Sequence, residues 1–333
     1  MILQALKQYY DRKAADADGD IAPEGFEKKE IPFLVVINPD GQFVNLEDTR
    51  EQVGKRLVGK AYLLPRSQTR CGSRSYETTF LLWDHIGYLF RFSKSDEPDD
   101  MDRAAKQHQS WLASLQALPS DMKQDDGVGA ILLFYKTDAM ERVKATPQWS
   151  ECTKLPSCNM TFRLAGDAHP IPCRPKVQEY VRSSVSQNFP NHEEKQETEA
   201  KFFAHCLVTG EFGEIARIHG RTSINKDTKS LVAVQKNSGY DSYGKEQCYN
   251  APVCKSAEFA YTTALNTLLK STTQRLPVGD ATTVFWASCK TRFESEVADF
   301  FRESPKDDPD RNVRAVADLL KSVQTGAYAQ SDK

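Results

Sequence analysis

The stretch YGKEQCYNAPVCKSAEFAYTTALNTLL, at residues 243–269, is the most informative part of this chain. It begins as a polar loop, and the pair Asn250 and Pro252 predicts a turn because proline favours extended backbone in the residue before it. After this turn, apolar residues recur at helical spacing and predict one buried stripe, formed by Ala257, Tyr261, Ala264, Leu265 and Leu268. A loop that runs into a packed helix is therefore expected here.

Working outward from this stretch, the sequence predicts a mixture of helices and strands. GDATTVFWA at residues 279–287 indicates a short buried strand from Thr282 onward, and FLVVI at 33–37 indicates another that returns as a hairpin through residues 42–46. Further strands are predicted at 80–83, 88–92, 130–135 and 202–208, and helices at 2–10, 101–118, 177–185 and 312–324. Residues 95–102 are interpreted as an acidic loop.

Strands and helices that do not alternate regularly indicate the α+β class rather than a doubly wound sheet. We expect an irregular mixed domain with antiparallel hairpins and packed helices, followed by a short helical tail. The domain is expected to span residues 1–288, and residues 289–333 to form a linker and the start of a helical carboxy-terminal region, because residues 302–311 have a linker-like composition.

The overall composition is that of an ordinary globular protein. The chain has 333 residues, 39% of them hydrophobic, and a formal net charge of −2. Binding to nucleic acid would therefore depend on local patches rather than on the charge of the whole chain. No apolar run approaches a membrane span of about 20 residues, and the first residues lack a secretory pattern, so we expect a cytoplasmic protein without a membrane partner.

The eight cysteines do not indicate a metal site or a cofactor. No C-x-x-C pair occurs, and a site formed by Cys158, His169 and Cys173 lacks an obvious fourth ligand. We therefore expect isolated reduced thiols, no metal and no cofactor.

Residues 52–76 form a basic segment without a single acidic residue. Its cations are Lys55, Arg56, Lys60, Arg66, Arg70 and Arg74. The part RSQTRCGSR, at 66–74, combines guanidinium, hydroxyl and amide groups around Gly72, and such groups suit phosphates and base edges. Nucleic-acid contact and a solvated basic turn are both compatible with this pattern.

A second basic segment occupies residues 217–245. It contains Arg217, Arg221, Lys226, Lys229, Lys236 and Lys245 against Asp227 and Asp241. The turn at 236–240 offers Asn237, Ser238 and Tyr240 for hydrogen bonding or stacking, although an ordinary surface loop would have the same composition.

Motifs of the common enzyme classes are missing from the sequence. It contains no phosphate-binding G-x-x-x-x-G-K-[ST], no H-E-x-x-H, no G-x-S-x-G and no G-x-G-x-x-G. Asp99, Asp100 and Asp102 could in principle bind a divalent ion in a nuclease, but a solvated acidic loop is the simpler interpretation. We expect no catalytic residues and no enzymatic activity.

The residue identities resemble the large subunit of the type I-C CRISPR Cascade complex. SYGKEQ, NAPV and AYTTALN in the opening stretch resemble the signature of that family, as does GD.TTVFWA. The start MILQAL..YY, IPFLVVINPDGQF at 31–43 and CLVTGEFGEIARIH at 206–219 also agree, in family order, up to about residue 310.

The resemblance implies a subunit that inspects double-stranded DNA for a short protospacer-adjacent motif, largely from the minor groove. Such a subunit helps to open the duplex and docks the recruited nuclease-helicase, and it has no catalytic role. Its partners would be the guide RNA, the target double-stranded DNA, and the backbone and guide-end-binding subunits of the complex. Guide pairing then reads the long sequence while protein reads the short flank.

From this resemblance we predict two sets of contacts. The DNA-binding set is Gln68, Arg70, Ser73, Arg74, Lys236, Asn237, Ser238 and Gln247. The set for guide RNA or phosphates is Lys55, Arg56, Lys60, Arg66 and Lys245. Asn250 belongs to the signature, but it is equally interpreted as a residue that shapes the turn.

The chain departs from the family pattern in three ways. Family chains are longer and continue into a helical carboxy-terminal region. Cys254 stands where a capping residue such as serine would be expected, and the Arg70–Ser73 sequence RCGS differs from the more usual arrangement after a basic residue. A shortened scaffold or decoy that assembles without reading the motif is therefore an alternative, and a metal-dependent nuclease is a further one.

Overall fold

A computed structural model describes most of the chain, and it has two compact units. The described residues are 2–16, 19–70, 72–186, 201–224, 228–236, 239, 244–289, 307–310, 313–314, 317 and 321. The central unit is Ala22–Glu194, and the terminal unit combines Met1–Ile21 with Lys195–Lys333. The predicted domain boundary after residue 288 adjoins residues outside the described ranges, and it stays a prediction.

Helices and strands are numbered in chain order. The helices α1–α9 are Ile2–Ala15, Ile86–Phe90, Pro98–Gln116, Ser120–Lys123, Asp126–Phe134, Ala139–Lys144, Trp149–Lys154, Pro175–Ser186 and Lys255–Lys270. The strands β1–β14 are Phe26–Ile31, Phe33–Ile37, Phe43–Asp48, Glu51–Val53, Arg56–Val58, Lys60–Pro65, Trp83–His85, Asn159–Leu164, Phe203–His205, Phe212–Glu214, Arg221–Thr222, Lys229–Ser230, Arg275–Val278 and Ala281–Val284.

A four-stranded sheet with the order β3-β2-β8-β7 forms the centre of the central unit. Strand β2 is buried along its whole length, which explains its continuous run of apolar residues. It pairs antiparallel with β3 and parallel with β8, so that Val35 lies between Leu46 and Phe162. The hairpin between β2 and β3 turns at Gly41, whose positive φ of 75° suits glycine.

Helices α2–α8 belong to the same unit, and most of them bury apolar residues with the sheet. Phe33, Val35 and Phe162 share one core cluster with Trp111 of α3 and Phe134 of α5. A smaller cluster contains Ile31, Leu34 and Trp83 and lies beside the antiparallel pair of β1 and β6. The α+β prediction with antiparallel hairpins and packed helices is confirmed.

In the terminal unit, α1 packs against α9. Leu6, Tyr9 and Tyr10 of α1 share a core cluster with α9, and the ring of Tyr10 meets that of Phe259 edge to face. The five residues of the predicted apolar stripe on α9 are all buried, which confirms the helix and its packed face. Short strand pairs, β9 with β10, β11 with β12 and β13 with β14, complete the described part of this unit.

Two strand predictions were wrong, because both segments are helices. Residues 88–92 were predicted as a strand, but α2 ends at Phe90. Residues 130–135 lie mostly in α5, which begins after Asp125, whose carboxylate accepts hydrogen bonds from the Gly127 and Val128 amides. Both helices are short and largely buried, and a short run of apolar residues has no periodicity that separates helix from strand.

Smaller differences concern the ends of elements. The strand predicted from Thr282 exists as β14, but it ends at Val284 and its first three residues are exposed, so the predicted burial was wrong. The acidic loop predicted at 95–102 becomes helical at Pro98, where proline occupies the first turn of α3. The predicted helical tail at 312–324 and most of the linker at 302–311 lie outside the described residues.

No helix among the described residues combines the length and the apolarity that crossing a lipid bilayer requires.

Candidate nucleic-acid interface

The first basic segment begins as an exposed hairpin of the central unit. Strands β4 and β5 pair so that Val53 lies opposite Arg56, and Gly54 and Lys55 form the turn. Gly54 has a positive φ of 60° and open space around it, so the tip is unobstructed. Lys55, Arg56 and Lys60, predicted to contact phosphates or guide RNA, are exposed.

The loop that follows β6 is fixed to the unit at its start. The Arg66 amide donates to the Gly25 carbonyl oxygen at 2.8 Å, and the Ser67 amide donates to the Glu27 carboxylate at 2.7 Å. The indole of Trp83 donates to the carbonyl oxygen of Pro65 at 2.9 Å. These bonds set the direction in which residues 67–74 leave the sheet.

Arg70 fixes the middle of this loop to the core. Its guanidinium carbon lies 3.8 Å from the ring centroid of Phe80 and 3.9 Å from that of Tyr88. Its Nε donates to the Thr78 carbonyl oxygen at 2.8 Å, and its Nη2 donates to the Asp84 carboxylate at 2.5 Å. Arginine suits such a site because its planar, weakly hydrated cation stacks on aromatic rings while it donates to a carboxylate.

Asp84, the anion below Arg70, is fully buried. Burial raises the pKa of this carboxyl group, whereas the hydrogen bond from Arg70 lowers it. The Phe80 and His85 amides also donate to the carboxylate. A buried carboxylate with three donors is a favourable arrangement only while the arginine remains in place.

Beyond Arg70 the loop presents side chains to solvent. Gln68, Ser73 and Arg74 are exposed, and Gly72 has a positive φ of 76° with open space around it. The loop ends in the 3-10 turn Ser75–Glu77, where the Ser75 carbonyl oxygen accepts a hydrogen bond from the Tyr88 hydroxyl. Arg74 pairs with Glu77 at 2.8 Å, and this exposed pair is open to competition from a phosphate.

The second basic segment belongs to the terminal unit and is crossed by internal ion pairs. Arg217 donates to the side-chain oxygen of Gln247 at 2.5 Å and lies 3.7 Å from the Glu246 carboxylate. Lys236 pairs with the same carboxylate at 2.6 Å. Two of the predicted DNA contacts, Lys236 and Gln247, therefore belong to one network, whereas Lys245 is exposed.

Asn250 shapes the turn before α9. Its side-chain amide donates to the carbonyl oxygens of Lys245 and Gln247, at 2.9 and 3.0 Å. Cys254 occupies the N-cap position of α9 and makes no capping hydrogen bond there, as its identity predicts. The signature thus encodes local structure at these two positions.

The two predicted sets are divided between the units. Gln68, Arg70, Ser73, Arg74, Lys55, Arg56, Lys60 and Arg66 lie in the central unit, and Lys236, Gln247 and Lys245 lie in the terminal unit. Asn237 and Ser238 lie outside the described residues. Their roles in binding DNA or RNA stay predictions.

The three aspartates of the nuclease alternative are engaged on or beside helix α3. Asp100 accepts a hydrogen bond from the Ser95 hydroxyl at 2.5 Å, and Asp102 pairs with Lys106 at 2.6 Å. Within the part of the chain that the structure describes, no group of three or more His, Cys, Asp or Glu side chains is placed to hold a metal ion.

The residues that sequence analysis missed are those that hold the two segments. Phe80, Asp84 and Tyr88 enclose Arg70, and the only signal in the sequence is their spacing of four residues, which a strand interpretation obscures. On α9, polar residues four apart (Glu258, Thr262 and Asn266) also indicate a second functional face, which the apolar stripe concealed.

Comparison with protein families identifies the group to which the chain belongs. The model of a family described as CRISPR-associated protein (Cas_Csd1) matches residues 6–333, so this chain is a member of that family. No curated protein matches the chain. Membership implies that the protein works in a multi-subunit CRISPR complex.

Proposed function

With membership in the Cas_Csd1 family as the premise, we propose that the chain is the large subunit of a type I-C RNA-guided interference complex. It recognises a short protospacer-adjacent motif in double-stranded DNA, aids duplex opening and docks the nuclease-helicase. The guide RNA and the backbone and guide-end-binding subunits are its other partners, and the complex acts in the cytoplasm. The subunit itself is not an enzyme and requires no cofactor.

The observation that carries this proposal is the fixed loop of residues 66–74. Its ends and middle are bonded to the central unit, whereas Gln68, Ser73 and Arg74 are exposed. Reading a base edge requires amide or guanidinium groups in a defined position, because hydrogen bonds depend on distance and angle. A loop that is rigid where it is anchored and polar where it is exposed meets that requirement.

Arg70 has a different role from Arg74 in this proposal. The stacked and ion-paired Arg70 holds the loop, and the exposed Arg74 exchanges its partner Glu77 for the DNA. Lys55 and Arg56 at the tip of the β4–β5 hairpin contact phosphates, which gives affinity without sequence preference.

The test is duplex binding by the chain assembled with guide RNA and its backbone subunits. Targets that differ only in the flanking motif are compared for the wild type and for Arg74→Ala. We expect wild-type affinity to depend on the flank and Arg74→Ala to reduce that preference by about tenfold. If Arg74 contacts only a phosphate, the loss is equal for all flanks and the salt slope falls by about one.

The matched control is Lys154→Ala. Lys154 is exposed and pairs with Glu151 three residues away on α7, as Arg74 pairs with Glu77. The same charge is lost, so binding should remain as in the wild type. A wild-type complex that assembles but binds all flanks equally would contradict motif reading and would favour the scaffold or decoy alternative.

A further inference from the structure

A polar face of helix α9 holds the backbone of the second basic segment. Asn266 makes two hydrogen bonds with it: its Oδ1 accepts from the Ser223 amide at 3.0 Å, and its Nδ2 donates to the Arg221 carbonyl oxygen at 3.1 Å. One carboxamide thus pairs with both backbone groups of an extended segment, as a neighbouring strand would.

Glu258 and Thr262 extend this face by two helical turns. The Glu258 carboxylate accepts hydrogen bonds from the Gly220 amide at 2.8 Å and from the Thr262 hydroxyl at 3.0 Å. Both side chains are buried. Residues 258, 262 and 266 are four apart, so they lie on one side of the helix.

His219, next to Gly220, is fully buried and completes the attachment. Its Nδ1 is hydrogen-bonded to the Tyr261 hydroxyl, and its carbonyl oxygen accepts from the Ser230 hydroxyl at 2.8 Å. The attachment therefore reaches both strands of the β11–β12 ribbon. Four polar residues of α9 together fix a ribbon that has only two residues in each strand.

The ribbon carries two exposed cations, Arg221 and Lys229. No carboxylate among the described residues lies within ion-pair distance of either side chain, whereas Arg217 and Lys236 of the same segment face Glu246. Residues 215–236 contain five cations and one acidic residue. A ribbon of this kind, rigid in its backbone and cationic on its surface, is suited to a polyanion.

We propose that Arg221 and Lys229 contact phosphates of the target duplex DNA, and that Glu258, Thr262 and Asn266 are positioning residues for this contact. The inference rests on the proposed function only in taking DNA as the ligand. It explains why the signature helix carries regularly spaced polar residues besides its apolar stripe.

The first experiment measures the salt dependence of duplex binding by the assembled complex. Arg221→Ala and Lys229→Ala should each lower the slope of log affinity against log salt by about 0.9, equally for all flanking sequences. The loss of affinity is then about three to four times larger at 50 mM than at 200 mM salt. Lys7→Ala, which removes an ion-paired cation from α1 of the same unit, should leave the slope unchanged.

The second experiment tests positioning by a double-mutant cycle. Asn266→Ala should weaken DNA binding in the wild-type background, and it should have little further effect when Arg221 and Lys229 are already alanine. Hydrogen exchange at the Ser223 amide should rise by about five- to tenfold, because the amide loses its bond to Asn266. Glu258→Gln keeps the acceptor oxygen and should retain binding.

Unchanged salt slopes for both cation variants would overturn the proposal, as would reduced guide-RNA assembly with an unchanged DNA slope. Equal losses from Asn266→Ala with and without the two cations would overturn the positioning role. If Asn266→Ala fails to fold, Thr262→Val, which removes only the hydroxyl bonded to Glu258, provides the same cycle. These slopes are measurable whether or not the complex discriminates flanks, so failure of motif reading is recognised separately.

Discussion

The two basic segments are fixed to their units in opposite ways. In the loop at 66–74 the fastener is itself a cation, because Arg70 stacks between Phe80 and Tyr88 and bonds to the buried Asp84. In the ribbon at 221–230 the fasteners are polar side chains of a separate helix, which bond to the backbone and leave Arg221 and Lys229 exposed.

This difference teaches that the density of cations in a sequence does not measure the charge offered to a ligand. Arg70, Arg217 and Lys236 are engaged inside their units, whereas Arg74 in an exposed ion pair, and Arg221 and Lys229 without a carboxylate nearby among the described residues, are available at the surface. The predictions that follow test whether the two kinds of cation behave differently.

The largest effect is expected from Arg70→Ala. Removing the arginine leaves the Asp84 carboxylate buried without its cation and removes two ring contacts. The free energy of unfolding of the central unit should fall by about 3–5 kcal/mol. Denaturant unfolding of the isolated chain, followed by tryptophan fluorescence, measures this loss.

Arg74→Ala is the control for that experiment, since its side chain is four residues away and 77% exposed. Its unfolding midpoint should match that of the wild type, because exposed ion pairs contribute little. Equal midpoints for Arg70→Ala and Arg74→Ala would break the comparison and return Arg70 to the set of surface cations.

A smaller effect is expected from pH, through the residue next to Asp84. Burial, with Lys94 and Arg70 nearby, lowers the pKa of His85 to about 4, and its neutral Nδ1 accepts the capping hydrogen bond from the Gly87 amide. Because the unfolded histidine has a pKa near 6.5, it gains its proton first as the pH falls. The free energy of unfolding should therefore fall by about 2 kcal/mol between pH 7 and pH 5.

His85→Asn separates the cap from the titration. Asparagine is a good N-cap residue and has no ionisation in this range, so the variant should lose most of the pH dependence while it keeps its stability at pH 7. An unchanged pH dependence in the variant would show that another group is responsible.

The smallest effect is expected in the terminal unit from Tyr261→Phe. This change removes only the hydroxyl that bonds to the buried His219, and the cost is about 1–2 kcal/mol in the free energy of unfolding. Hydrogen exchange at the Gly220 amide, which Glu258 holds, should rise in the same variant. Exchange as slow as in the wild type would show that the ribbon does not depend on His219.

Much of the fold could be predicted from periodicity and turn residues. The buried strand at 33–37, its hairpin and the stripe of α9 were predicted because each follows a repeat that belongs to one kind of element. The helices at 86–90 and 126–134 were not predicted, since they are too short and too thoroughly buried for such a repeat to appear. Their capping residues, His85 and Asp125, were the available signals.

The sequence by itself determined the family, the α+β class and the two basic segments, because these depend on residue identity and local spacing. Only the tertiary structure decided which cations fasten the chain and which face solvent. That choice depends on contacts such as Arg70 with Asp84, 14 residues apart, and Asn266 with Ser223, 43 residues apart. Contacts of this kind leave no periodic trace, since they form only when separate elements have packed together.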